Sequence, residues 1–149
     1  IVVEAELGKV GGKEDDLDGG NGGYTVPEEA LDFVQRTGVT SLAVAIGTAH
    51  GVYQGVPKLD IERLKAIRRL VEIPLVLHGG SGLSDDDFRN TVAGGISKIN
   101  VFTDVILAAK RAIAENPDAA YTDLNLLAEE AMKQATVTKL KLFGSEGMA

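Results

Sequence analysis

Two short apolar runs end in the same way, and that ending limits what the chain can fold into. Residues 41–46, Ser-Leu-Ala-Val-Ala-Ile, lead through Gly47, Thr48 and Ala49 to His50-Gly51; residues 73–77, Ile-Pro-Leu-Val-Leu, lead straight into His78-Gly79-Gly80-Ser81-Gly82. An apolar run without alternation suits a parallel strand covered on both faces. Parallel strands need a crossover, usually a helix, and such folds gather their chemistry at the C-terminal strand ends. His50 and His78 are the two histidines of the chain, and each stands at such an end. Neutral imidazole is a common zinc ligand, so two at neighbouring strand ends point to a metal site. The competing reading is a pair of structural strand-end residues; the glycines that follow both histidines favour the metal.

The rest of the chain repeats the strand–helix step. A strand over residues 2–7 precedes a glycine-rich stretch, residues 8–23, and a helix opens at Pro27, runs through Val34 and stops at Gly38. The strand at residues 41–47 leads past His50 to a helix from Asp60, with Ile61, Leu64, Ile67 and Leu70 on one face. Pro74 opens the strand at residues 75–77; Ser84 then reads as a helix cap, and Asp85, Asp86 and Asp87 suit the helix dipole. A fourth strand is expected over residues 98–101, a helix over 103–114, a break at Asn116-Pro117 and a last helix over 121–137. The strands recur at roughly 30 residues, the size of one βαβ step. Eight such steps close a TIM (β/α)8 barrel of about 250 residues. Four βα units plus a C-terminal helix make an α/β half-barrel, although an open sheet would carry the same pattern. The chain opens on Ile1-Val2-Val3 without a methionine, as if already in a strand, and reads as the second part of a longer protein. No linker divides it, so residues 1–149 are expected to be the C-terminal half of a single barrel domain.

Charge and composition narrow the partners. A formal net charge of -7 argues against nucleic acid and anionic membranes, though not against a local phosphate site made of backbone N–H groups. The chain has no cysteine, so disulfide and thiol chemistry are out. Its apolar runs are far too short to span a bilayer, which makes the cytoplasm the default location.

Three further segments carry chemical potential. The turn at residues 78–82 exposes consecutive N–H groups just ahead of a capped helix, an arrangement that suits an anion, though an ordinary tight turn reads the same way. Asn100 ends the fourth strand, where a buried amide would need partners and a substrate hydroxyl could be one. Residues 8–23 are either a flexible connection or a functional lid; the length exceeds the usual βα loop and favours the lid.

Glu4-Ala-Glu6-Leu-Gly8, Gly11-Gly12-Lys13-Glu14-Asp15-Asp16, Gly47-Thr-Ala-His50-Gly51-Val-Tyr53, His78-Gly-Gly-Ser-Gly82 and Asn100-x-x-Thr103 together resemble the class II, metal-dependent ketose-bisphosphate aldolases. The resemblance is strongest to the branch of tagatose- and fructose-bisphosphate aldolases and runs in order to Phe143-Gly144-Ser145. It implies aldol cleavage of a ketose bisphosphate, or a related phosphorylated ketose, to dihydroxyacetone phosphate and an aldehyde. It implies zinc or another divalent ion, with a monovalent cation beside it as a further expectation. His50 and His78 would be two of three metal ligands, the third histidine and a catalytic aspartate lying upstream of this sequence. Glu6 resembles a carboxylate behind the ligands or an alternative ligand. Glu14 resembles the glutamate that moves the proton at the reacting carbon. Gly51, Gly79, Gly80, Ser81, Asn100, Val101, Phe102 and Thr103 resemble the binding site for dihydroxyacetone phosphate, Asn100 also being placed with the catalytic residues. Gln54 stands where relatives often carry lysine, and Phe102 where many have a small or acidic residue, so the choice of ketose is left open. The family implies a homodimer or homotetramer, and a half-chain that is inactive alone. Two other functions compete: a different barrel metalloenzyme such as a hydrolase, and a non-catalytic phosphate-binding or stabilising subunit.

Overall fold

The computed structural model describes residues 1–10, 23–51 and 56–148. Four strands pair in parallel and in chain order: β1 (Glu4–Leu7), β2 (Ser41–Val44), β3 (Leu75–Leu77) and β4 (Ile96–Ile99). Between them lie α1 (Pro27–Thr37), α2 (Ile61–Leu70) and α3 (Asp85–Ala93); α4 (Thr103–Ala114) and α5 (Tyr121–Leu142) follow. The order decides between the two architectures left open by the sequence. Right-handed crossovers that always step to the same side place every helix on one face of the sheet. A doubly wound sheet reverses its strand order; this one does not. The chain therefore contributes four of the eight βα units of a TIM barrel.

The chain forms two compact units, Ile1–Asn100 and Val101–Ala149. In the first, register places Leu42 beside Leu75 and Leu75 beside Ile96. Leu42, Leu75 and Leu77 are fully buried, as are Ala30 of α1, Leu64 and Ile67 of α2 and Phe88 of α3. Burying a Leu or Phe side chain contributes roughly 1.5–3 kcal/mol, so this layer dominates the stability of the sheet. Each helix uses the boundary written in its sequence. Pro27 opens α1, and Gly38, at φ 68°, closes it with its N–H on Val34. Asp60 caps α2 through the Arg63 N–H. Ser84 and Asp87 form a reciprocal capping box on α3. In the second unit α4 and α5 pack on each other, with Lys139 on Asp104 at 2.8 Å.

Several boundaries differ from expectation. Val2 and Val3 precede β1 and are exposed, because pairing with β2 begins at Glu4 opposite Ser41. β2 ends at Val44, before Gly47 turns to φ 111°. β4 starts two residues early, since Gly94-Gly95 ends α3 directly before it and a register shift at Leu75/Val76 sets Lys98, not Ser97, opposite Val76. α5 continues to Leu142 because nothing after Val137 breaks it until Gly144.

Candidate functional site

The side chains that matter sit on the sheet face opposite the helices and at its C-terminal edge. Glu4 and Glu6 alternate with Ala5 and Leu7 on β1, and register pairs them with Ser41 and Ala43; Ala43 pairs in turn with Val76, and Val76 with Lys98. His78, two residues beyond Val76, continues this row.

Backbone contact holds the strand ends together. A Cβ on Gly79, which has φ +68°, would lie 2.5 Å from the carbonyl oxygen of Ala49. Only glycine lets the turn after β3 rest against the segment that carries His50. Gly80 donates its N–H to the Asn100 carbonyl at 3.3 Å, and Asn100 donates its own to Leu77 at 3.0 Å. The segments at His50, at residues 79–80 and at Asn100 thus meet main chain to main chain.

That packing brings the two histidines together, with ring centroids 6.3 Å apart and planes tilted by 37°. Zinc–nitrogen bonds of about 2.0–2.1 Å would set two imidazoles on one tetrahedral ion roughly 5 Å apart, centroid to centroid. The observed pair is about an ångström wider, a gap that small side-chain rotations close, so the residues fit one ion. Among the described residues no group of three or more His, Asp or Glu gathers as a metal cage. They supply two imidazoles of a set that normally needs at least three protein ligands.

Carboxylates surround His78. Glu6 Oε2 lies 2.8 Å from Nδ1, and Glu4 Oε1 lies 3.3 Å from Nε2. A carboxylate on the far nitrogen is the usual way a ligating histidine is held in one orientation. Lys98 Nζ meets both oxygens of Glu4, at 2.8 and 3.0 Å. The Lys98 hydrogen bond is the chief reason the Glu4 carboxyl stays below the usual carboxylate range; partial burial opposes it, and His78 adds to it.

The remaining expected residues fall in different places. Ser81 is buried, Gly51 has φ 86°, and His50 and Asn100 are exposed. Asn100 is therefore not the buried amide the sequence suggested: its backbone still bonds Leu77 of β3, but the residue follows the last one of β4 and is open to solvent. The first turn of α3 carries its own capping box, in which Ser84 and Asp87 serve each other's N–H groups. Val101, Phe102 and Thr103 open the second unit, with the Phe102 carbonyl accepting from Val105 and Ile106 at the head of α4. Phe102 is 72% exposed. Glu14, Tyr53 and Gln54 lie outside the described residues. Glu4 and Lys98 received no role from sequence reasoning. The available signal was charge on strands otherwise apolar, with Glu4 two residues before Glu6 and Lys98 two before Asn100. Thr48, 3% exposed and with no hydrogen bond to its Oγ1 among the described residues, also went unremarked.

The parallel sheet, with two histidines brought together beside its strands, is the setting in which the comparison with known proteins stands. The profile of the class II fructose-bisphosphate aldolases matches residues 1–148, and the chain belongs to that family. Among individual relatives, the curated YdjI protein of Escherichia coli strain K12 is 47% identical over 152 residues, spanning all of this chain and 54% of that protein. The crystal structure of the YdjI aldolase from Escherichia coli K12 superposes with a TM-score of 0.86 at 45% identity, over 100% of this chain and 52% of that one. A Coccidioides immitis protein assigned as a fructose-1,6-biphosphate aldolase gives 0.88 at 32% identity, over 99% and 54%. Fructose-bisphosphate aldolase from Campylobacter jejuni gives 0.71 at 25%, over 97% and 51%. The chain thus spans about half the length of the relatives it matches. No helix among the described residues is long and apolar enough to cross a membrane.

Proposed function

We propose that residues 1–149 are the C-terminal half of a single-barrel, metal-dependent aldolase that cleaves a phosphorylated ketose, a ketose 1,6-bisphosphate foremost, to dihydroxyacetone phosphate and an aldehyde. The observation that carries this reading is the approach of His50 and His78 to a ring separation of 6.3 Å beside Glu6. Zinc is the favoured ion, held by these two imidazoles and an upstream histidine. When bound, a divalent ion supplies Lewis-acid stabilisation of the negative charge that develops on the ketone and hydroxyl oxygens as the C3–C4 bond breaks.

The protein's own residues do the rest. Backbone N–H groups of Gly79, Gly80 and Ser81, with Gly51 and the segment from Asn100 through Val101 and Phe102 to Thr103, hold the phosphate and orient the reacting carbon at a distance from it. For the turn to do this, Gly80 exchanges its 3.3 Å bond to Asn100 for a stronger one to the phosphate. In cleavage, the electron pair of the C3–C4 bond stays with the three-carbon fragment, and the C4 hydroxyl proton passes to the upstream aspartate. Glu14 then delivers a proton to C3, completing dihydroxyacetone phosphate. Asn100 hydrogen-bonds a substrate hydroxyl. Glu6 orients His78. Residues 1–149 alone, lacking the third histidine and the aspartate, are inactive. Assembly as a homodimer or homotetramer in the cytoplasm accords with the reading.

The test is a cleavage assay on the full-length protein with fructose and tagatose 1,6-bisphosphate, alongside elemental analysis. About one zinc per chain and release of dihydroxyacetone phosphate support the reading. A metal-free protein that binds phosphorylated sugars without cleaving them supports the non-catalytic alternative.

A further inference from the structure

Arg63 stands where a cation is least expected. It is the third residue of α2, in the first turn, where the helix dipole favours a carboxylate and opposes a positive charge. Nor does the side chain escape to water, being only 28% exposed. Its guanidinium turns to three groups instead. Nε donates to Asp60 Oδ2 at 3.0 Å, Nη1 donates to the Thr25 carbonyl at 3.1 Å, and Cζ lies 5.4 Å from the centre of the Tyr24 ring. A guanidinium can serve all three at once because it is a rigid, planar fork with a face for an aromatic ring.

Each of these groups bears on the backbone that leads from β2 to His50. Thr25 donates its N–H to the Ala45 carbonyl at 2.9 Å and accepts the Ala45 N–H on Oγ1 at 2.8 Å. Asp60 donates its own N–H to the Ile46 carbonyl at 2.9 Å. Tyr24 lies against Gly47: a Cβ there, at φ +111°, would be 2.8 Å from the Tyr24 Oη and 2.7 Å from the Lys58 carbonyl. Three consecutive residues, Ala45, Ile46 and Gly47, are thus met by the three partners of one side chain. His50 follows three residues later.

We propose that Arg63 is a positioning residue for His50: by joining Asp60, Thr25 and Tyr24 it fixes the exit of β2, and with it the place from which the His50 imidazole reaches a divalent cation. The cation half of this statement rests on the metal reading given above; the anchoring of residues 45–47 does not. Helix formation alone gives no reason for an arginine here, since methionine, glutamine or glutamate would serve α2 as well. Asp60 offsets the misplaced charge. Its Oδ1 accepts the Arg63 N–H at 2.9 Å while Oδ2 takes Nε, so one carboxylate both caps the helix and holds the fork.

The experiment uses the full-length protein. Amide hydrogen exchange in the metal-free form reads the anchoring, and titration with zinc alone reads its consequence. Arg63→Met keeps the helix propensity but removes the fork. It is expected to speed exchange of the Ala45 N–H at least about tenfold, by local opening at the end of β2. It also weakens zinc about tenfold, the lower end of losses when support behind a metal ligand is removed. Arg63→Lys keeps a cation over Tyr24 but cannot reach Asp60 and Thr25 together; an intermediate loss is expected in both readouts, and this variant carries the test should Arg63→Met fold poorly. Gly38→Ala is the control. Gly38 closes α1 at φ +68°, with nothing within 4 Å of an added Cβ, so the variant loses stability through backbone strain alone. Its zinc affinity stays within about twofold of wild type, as for an independent site. A merely structural Arg63 predicts equal zinc affinities in Arg63→Met and Gly38→Ala. That result, or an Ala45 N–H that exchanges at the wild-type rate in Arg63→Met, overturns the proposal. Wild-type protein that takes up no zinc overturns the metal reading instead, while the exchange measurement still decides the anchoring.

Discussion

Gly79 shows how one residue can control a site through its backbone. Its φ of +68° is strained for any side chain, and a Cβ there would press on the Ala49 carbonyl at 2.5 Å. Gly79→Ala is expected to cost at least about 2 kcal/mol, combining left-handed strain with a main-chain clash. Because the clash falls one residue before His50, zinc affinity should drop together with stability; thermal unfolding and metal titration of the variant check both. Glu14 is expected to behave in the opposite way. Glu14→Gln should slow exchange of the dihydroxyacetone phosphate C3 proton by at least about 100-fold, the scale of general acid–base catalysis, while leaving zinc affinity within about twofold. Normal exchange in that variant would remove Glu14 from the mechanism. At this scale the sequence singled out His50 and His78, whose rings the structure brings to 6.3 Å. It was silent on Glu4 and Lys98, because their meeting depends on side chains crossing two intervening strands, which no local pattern encodes.

Elements are joined near the site by a single buried hydroxyl. Thr25, 1% exposed, accepts from the Ala45 N–H at 2.8 Å and donates to the Leu7 carbonyl, while its own N–H reaches the Ala45 carbonyl at 2.9 Å. It thereby ties the ends of β1 and β2 together at the foot of the glycine-rich segment, where the Lys9 N–H also meets the Gly23 carbonyl at 2.6 Å. Thr25→Val keeps the shape but orphans the Ala45 N–H. The expected loss is roughly 1–3 kcal/mol, measurable by denaturant unfolding with an unchanged slope; a neutral effect would mean that the hydroxyl bonds contribute nothing net. Helix positions were the most legible part of the fold, since Gly38, Asp60, Ser84 and Asp87 act through local hydrogen bonds and Pro27 through its fixed φ, all visible in sequence. Strand limits were less so. The two-residue displacement of β4 follows from a register shift against β3, a nonlocal event that apolar patterning does not report.

For the whole molecule, the order of strands is more telling than their number. Sequential parallel pairing leaves β1 and β4 as open edges among the described residues, and such edges call for another chain segment to pair with them. In the second unit neither α4 nor α5 contains a fully buried residue, and Ile106, Ile113, Leu126 and Leu140 are exposed. Both observations accord with a chain spanning about half of its relatives. They explain why barrel membership could be anticipated from four βα steps, whereas closure depends on residues outside them. The central claim, that His50 and His78 help to hold a divalent ion that makes the barrel an aldolase, is tested most directly by one exchange measurement. Full-length protein is incubated with dihydroxyacetone phosphate in deuterium oxide, and loss of the C3 proton signal is followed before chelation, after removal of metal and after zinc is returned. The account predicts exchange that disappears on chelation and recovers with zinc; exchange that persists undiminished in the stripped protein would contradict it.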